Sequence, residues 1–473
     1  MSEVAAKETH ARPGAGARGL FLAQIIKRLY RIAAMLMAAR LLGVEGFGIY
    51  ALLLTIMEMA ALISGSGYGD YLTRETAKSP ARARGIAIRV TQIRLLYIVA
   101  AAGILLGFLQ LLSSSAVVLN AALLSAALIP RALSESAQGV LRGLQSFVLL
   151  PWLEFFQGLV LLAAIPLFLL SGYGVRGIIA AEIISWVGAA VVAVLAVLKN
   201  TVASMEAPAF RGVMSSILPF NVYPFIANIY DRADVVILSR LAGAFATGIY
   251  ALPYRAFSSL QIIPYGIMGA LLPGFSASAA DATSRQSCSR VMKFLYVVSL
   301  LLVLITAACA RPAVALILGQ HFAMSATALK ILIWAAIPAF LNHALNTLLL
   351  AAHREKVFLW TASICTIFNC GANVLLIPRF SWVAAAAVTI LTEMLLLLQN
   401  CFLMQKYFGH QVLPQHWPRI TIVFAAAFAL LIALSRVVPE VWAGCLVCSG
   451  FALFAWFTVQ DVSEFHAMAG RSR

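Results

Sequence analysis

Between residues 24 and 31 the chain sets Gln24, Lys27, Arg28 and Arg31 among leucines, isoleucines and alanines. On a helix turning about 100° per residue, the four fall within an arc of about 100°. A basic side chain at the bilayer centre costs about 2.5–3.5 kcal/mol on insertion scales, so such groups face a wet cavity or a partner. Lys27 alone reads equally well as a snorkelling anchor, but three cations in one short stretch point to a water-filled cavity that attracts anions. A second polar set follows 200 positions later: Asn221, Asn228, Asp231 and Arg232 share one side of a predicted helix, with Asp234 one turn further round. Arg255 sits well inside the next apolar run and is assigned to the same cavity. Glu58, with Glu154, Glu182 and Glu393, is a candidate for proton or ion coupling, and each could equally pair with a buried arginine. Arg40, Arg94, Arg131, Arg240 and Lys330 complete the basic residues inside apolar runs. Arg40 and Arg240 lie near helix ends, where a cation complements the helix dipole.

The elements that carry these residues repeat. Tyr30 to Leu52 and Tyr230 to Leu252 share ten identities in 23 positions with no gap, Gly43/Gly243 and Tyr50/Tyr250 among them. SGYGVRGIIAAE (171–182) parallels PRFSWVAAAAVT (378–389) in the same way. With 62% hydrophobic and only 11% charged residues, the repeat describes two homologous membrane lobes. Apolar runs of about 20 residues, each able to cross a ~30 Å hydrocarbon core, recur throughout. The expectation is an all-α integral membrane protein of about fourteen crossings. Residues 1–19 form a disordered cytoplasmic tail, 20–199 an N-lobe of six helices, 200–404 a C-lobe of six, and 405–473 two further helices and a tail. If a pseudo-two-fold axis relates the lobes, Arg31 and its repeat counterpart Asp231 face one another as a gate. The alternative is that Asp231, Arg232 and Asp234 neutralise each other on their own helix.

Charge placement excludes some classes. The net charge of +16 does not mark a nucleic-acid partner, because the basic residues concentrate on one side of the predicted topology, as with Arg74, Lys78, Arg82, Arg84 and Arg89. The opposite side holds Arg176, Arg311, Arg379 and Arg436, a positive-inside pattern that puts both termini in the cytoplasm. The first run is too long and too basic for a signal peptide. No Walker loop, zinc signature or Ser-His-Asp arrangement occurs, and Cys445-x-x-Cys448 lies in an apolar run without a second ligand pair. No enzyme, metal or cofactor is expected, a coupling proton or sodium ion apart.

The runs ARLLGVEGFGIYAL and YLTRETAK, then DRADVVILSRLAG and GIYALPYRA, then IIPYGIMGALLP, resemble the polysaccharide transporter family. These are O-antigen-type flippases of the multidrug/oligosaccharidyl-lipid/polysaccharide exporter superfamily. HFAMSATALKILIWAAIP, LLLAAHREK and NVLLIPRFSWVAAAAVTILTE extend the likeness over roughly 20–404. The chain departs from the pattern at Ser381, where a glycine is usual, as at Gly174 in the first half. The resemblance implies a bacterial inner-membrane protein that moves a polyprenyl-pyrophosphate-linked oligosaccharide from the cytoplasmic to the periplasmic leaflet by alternating access through a cationic inter-lobe cavity. Lys27, Arg28, Arg31, Arg232, Arg255, Asn221 and Asn228 would bind the pyrophosphate and glycan, and Asp231, Asp234 and Glu58 would gate or couple. Its partners would be that lipid-linked oligosaccharide and membrane lipids, with a polysaccharide polymerase or other envelope-biosynthesis proteins left open. The rival readings are a cation-coupled drug or metabolite antiporter of the same superfamily and a membrane polymerase or ligase. An antiporter would call for an acidic cavity, a polymerase or ligase for a long catalytic loop. The longest outward segment, near 310–325, offers only Arg311 and His321.

Overall fold

A computed structural model describes residues 13–63, 65, 67–112, 115–202, 206, 208–277, 282–352, 355–408 and 416–459. Every element in them is a helix: α1 (Pro13–Ile63), α2 (Tyr68–Lys78), α3 (Ala83–Leu112), α4 (Ser115–Ser125), α5 (Leu128–Gly143), α6 (Leu149–Leu170), α7 (Gly174–Asn200), α8 (Phe210–Leu260), α9 (Ile262–Ala277), α10 (Ala282–Leu318), α11 (Ala323–Leu332), α12 (Ala336–Ala351), α13 (Glu355–Phe408), α14 (Trp417–Leu434) and α15 (Glu440–Val459), with short 3-10 turns between some of them. An all-helical fold is what apolar sequence in lipid allows, since each helix satisfies its own backbone. Helix α1 begins at Pro13, so residues 13–19 are helical rather than part of the tail expected from sequence; residues 1–12 lie outside the described ones.

Among the described residues ten helical stretches are long and apolar enough to cross a membrane. Three of them, Arg18–Leu62, Arg232–Leu271 and Trp360–Tyr407, run to 45, 40 and 48 residues, about twice the length of one crossing. Each is broken by a residue with positive φ: Gly43 (φ 70°, ψ −177°), Gly243 (φ 83°, ψ 179°) and Ser381 (φ 51°, ψ −135°). The two glycines occupy a region that a Cβ essentially forbids, so the chain turns where the repeat puts a glycine. A shorter apolar helix covers Glu440–Trp456. The count of fourteen stays an expectation.

The helices form two compact units, Met1–Arg232 and Ala233–Arg473. In the first, α1 packs on α6, α6 on α7 and α7 on α5. Its core includes Tyr68, Leu72, Val90, Ile93 and Leu141, with Val213 from the start of α8. In the second, α10 packs on α12 and α15, and α12 on α13. Leu295, Leu304, Leu332, Phe340 and Ala385 lie at its centre.

Candidate functional site

Five helices of the first unit bring their charged residues into one paired network. Helix α1 carries Lys27 and Arg31, α3 Arg94, α5 Arg131 and Glu135, α6 Glu154, and α7 Glu182. Arg31 Nη1 donates to both oxygens of Glu182, at 2.7 and 3.0 Å. Glu182 is fully buried and also accepts from the Tyr50 hydroxyl at 2.9 Å. Lys27 Nζ lies 3.7 Å from Glu154, which accepts from the Tyr30 hydroxyl at 3.2 Å and from Gln138 at 3.4 Å. Glu135 joins two further cations, accepting from Arg131 Nε at 2.9 Å and Arg94 Nη2 at 2.7 Å. Buried Arg94 gives its Nη1 to Ala132 O and Ser136 Oγ, both at 3.0 Å.

The Trp186 indole ties these pairs together. Its ring lies 5.4 Å from the Arg31 guanidinium carbon and 5.2 Å from that of Arg131, each within cation–π range. An unpaired charge at such depth would cost several kcal/mol, so the carboxylates are what allow these cations to sit inside a membrane unit. Four cations (Lys27, Arg31, Arg94 and Arg131) meet three carboxylates (Glu135, Glu154 and Glu182). The cluster therefore keeps a positive excess, and Arg28 lies exposed on α1 beside it. Among the described residues, the buried donors Trp186 Nε1, Gln157 Nε2 and Arg94 Nε have no hydrogen-bond partner. Carboxylate and phosphate oxygens fit the same guanidinium fork, so the network can exchange a carboxylate for an anionic ligand.

The second unit uses other chemistry. Buried Asp234 accepts from the Tyr250 hydroxyl at 2.5 Å and from Val235 N–H at 2.7 Å. Tyr250 also meets Thr389 Oγ1 at 3.1 Å. Deeper in, Asn342 Nδ2 donates to Glu393 Oε2 at 2.9 Å, Asn400 to Asn342 at 3.1 Å, and Asn369 to Thr392 at 3.2 Å. Here hydroxyls and amides meet the carboxylates.

The residues singled out from sequence are therefore divided. Lys27 and Arg31 belong to the first unit's network as paired groups, with Glu154 and Glu182 as the partners. The carboxylate beside Arg31 is Glu182 of its own unit. Arg232 forms an ion pair with Glu58, and Asp234 is bonded to Tyr250. Arg255 is half-buried in the second unit. The side chains of Asn221, Asn228 and Asp231 lie outside the described residues. Sequence reading passed over Arg94, Arg131, Glu135 and Trp186 as site residues. The spacing of Arg131 and Glu135, one helical turn apart, was a signal for one pair. Trp186 gave none.

Comparison with known proteins agrees with this architecture. The profile of the family described as polysaccharide biosynthesis protein matches residues 14–279. Among solved structures, the fold is similar to the lipid II flippase MurJ in an inward-closed conformation, with TM-score 0.70 and 11% identity, covering 96% of this chain and 99% of that one. A multidrug resistance MATE family transporter of the MOP superfamily, inward-facing, gives TM-score 0.66 and 15% identity over 83% of this chain and 98% of that one. A MOP superfamily transporter from Pyrococcus furiosus Vc1, noted for reverse polarity of its binding pocket, gives TM-score 0.55 and 14% identity over 82% and 94%. No curated protein sequence matches the chain. The fold is that of flippase-type transporters.

Proposed function

We propose that this chain, which belongs to the polysaccharide biosynthesis protein family, is a flippase that carries a polyprenyl-pyrophosphate-linked oligosaccharide from the cytoplasmic to the periplasmic leaflet of a bacterial inner membrane. Both termini are cytoplasmic in this reading. The observation that carries it is the network of Lys27, Arg31, Arg94 and Arg131 built inside a membrane unit around exchangeable carboxylates. A pyrophosphate cannot enter hydrocarbon uncompensated. When it arrives, its oxygens take the guanidinium fork of Arg31 in place of the Glu182 carboxylate. When it leaves, the Arg31–Glu182 pair re-forms. Binding is thus coupled to a change of partner, and a change of partner is what alternating access needs in order to distinguish loaded from empty states. Arg28 supplies further positive charge at the exposed side of α1. No cofactor takes part in this cycle; a proton or a sodium ion is the coupling ion.

The test is transport in proteoliposomes loaded with a fluorescent lipid-linked glycan. Wild-type protein should flip it. Arg31→Ala should slow flipping by at least about tenfold, the loss of roughly one charge-assisted bidentate contact, and Arg31→Lys should keep part of the activity because the charge survives and the fork does not. Undiminished flipping by Arg31→Ala would remove the network from the mechanism. The three carboxylates among the cations favour one rival, a cation-coupled antiporter. Export of ethidium, with no flipping of the glycan, would select that rival.

A further inference from the structure

Each unit has a break between successive helices: in the first, α1 ends at Ile63 and the polar helix α2 begins at Tyr68, outside the apolar stretch Arg18–Leu62; in the second, inside the apolar stretch Arg232–Leu271, α8 ends at Leu260 and α9 begins at Ile262. The cause in the second is Pro264, which has no N–H to give the carbonyl four residues back and whose ring crowds that turn. Irregular backbone at membrane depth is tolerated only where protein or water meets it.

The two interruptions are lined differently. In the first unit Gly65 leaves room for Arg94: a Cβ there would lie 2.5 Å from Arg94 Nη2. On the two helices that meet at the second unit's break, no Asp, Glu, Lys or Arg occurs from Ala256 to Ala280 or from Ile331 to Ala352. Instead Gln261 Oε1 meets His343 Nε2 of α12 at 2.8 Å, and the His343 imidazole packs against the Tyr265 ring at a tilt of 56°, with centroids 4.1 Å apart. Tyr265 is 64% exposed. One turn from His343, on the same face of α12, the buried Asn346 Oδ1 has no hydrogen-bond partner among the described residues. An exposed aromatic platform flanked by neutral amides matches a sugar ring, which has an apolar C–H face to stack and hydroxyls to bond. It does not match a phosphate, which needs a cation, or a polyprenyl chain, which would strand the amides.

We propose that the break at Gln261 is a carbohydrate subsite: Tyr265, braced by His343, stacks on a sugar ring of the lipid-linked glycan, and Gln261 and Asn346 bind its hydroxyls. This rests on the flippase reading and adds to it the residues that recognise the glycan. Full-length protein in nanodiscs is titrated with undecaprenyl pyrophosphate and with the same lipid bearing one N-acetylglucosamine. Wild type should bind the sugar-bearing lipid about fivefold more tightly, the scale of one aromatic stacking contact. Tyr265→Ala should erase that preference while binding the bare pyrophosphate as wild type does, which also shows that the variant is folded. Tyr265→Phe, which keeps the ring, should retain it. A preference that survives Tyr265→Ala, or no preference in wild type, overturns the subsite. If wild type binds neither lipid, it is the flippase reading that falls.

Discussion

Tyr50 and Tyr250 hold the same place in their repeats and reach the same place on a partner helix, yet they meet different chemistry. Tyr50 donates to Glu182, whose repeat counterpart in the aligned segments is Thr389, the residue that Tyr250 meets. The carboxylate has changed position between units. In the first it stands on α7 and holds Arg31; in the second the acid is Asp234 on α8, where the first unit has Ala34. Four side chains farther along, Trp186 of the first unit corresponds to Glu393 of the second, and an indole between two guanidinia is replaced by a carboxylate bonded to Asn342. One scaffold thus carries carboxylates paired with arginines in one half and carboxylates held by hydroxyls and amides in the other. Helix packing tolerates such an exchange because a tyrosine hydroxyl can both donate and accept, so the contact survives while the charge moves.

The largest effect should separate the halves at that contact. Glu182→Ala strands Arg31 and should cost about 3–5 kcal/mol, whereas Thr389→Ala removes one hydroxyl and should cost about 1 kcal/mol. Melting temperatures of the purified variants report the contrast, and equal falls would mean that the charged pair gives the first unit no special dependence. The Arg31→Ala, Glu182→Ala double variant should be more stable than Glu182→Ala alone, since no buried charge remains unpaired.

A middle-sized effect should be shared. Gly43 and Gly243 adopt the same backbone conformation, and a Cβ at either meets nothing within 4 Å. Gly43→Ala and Gly243→Ala should therefore each cost about 1–3 kcal/mol through backbone strain alone. The two melting curves should shift together. A large shift in one and none in the other would break the equivalence of the turns.

The smallest effect should have opposite signs in the two halves. Gly174 (φ 52°) and Ser381 (φ 51°) are aligned residues with matching positive φ. Ser381→Gly should raise stability by roughly 1 kcal/mol and Gly174→Ser should lower it by a similar amount. A Ser381→Gly protein that melts lower than wild type would show that the serine side chain makes a contact worth more than the strain.

Much of the scaffold is legible along the chain. The repeated glycines give the turns, the apolar runs give the membrane helices, and the departure at Ser381 is visible before its backbone angle is known. The candidate site is only partly legible. Periodicity gathers Lys27, Arg28 and Arg31 on one face, but it cannot say whether a carboxylate will meet them. Glu182 is 151 positions from Arg31, and in sequence it looks like any other acid in an apolar run. Arg131 and Glu135 are one turn apart and legible as a pair, but Arg94, 41 positions from Glu135, is not.

Sequence alone determined the class of protein, the doubling of its units and the places where long helices must turn. Those follow from composition, from local backbone freedom and from identity at a constant spacing, none of which needs a partner segment. Tertiary structure decided which acid answers which base, that Trp186 lies against both Arg31 and Arg131, and that the break before Pro264 holds an aromatic pair instead of a guanidinium. Those choices depend on the rotation at which α1, α5, α6 and α7 pack in one unit, and α9 and α12 in the other. A charge is stabilised by what lies within a few ångströms of it, and in this fold those groups come from helices far apart in the chain.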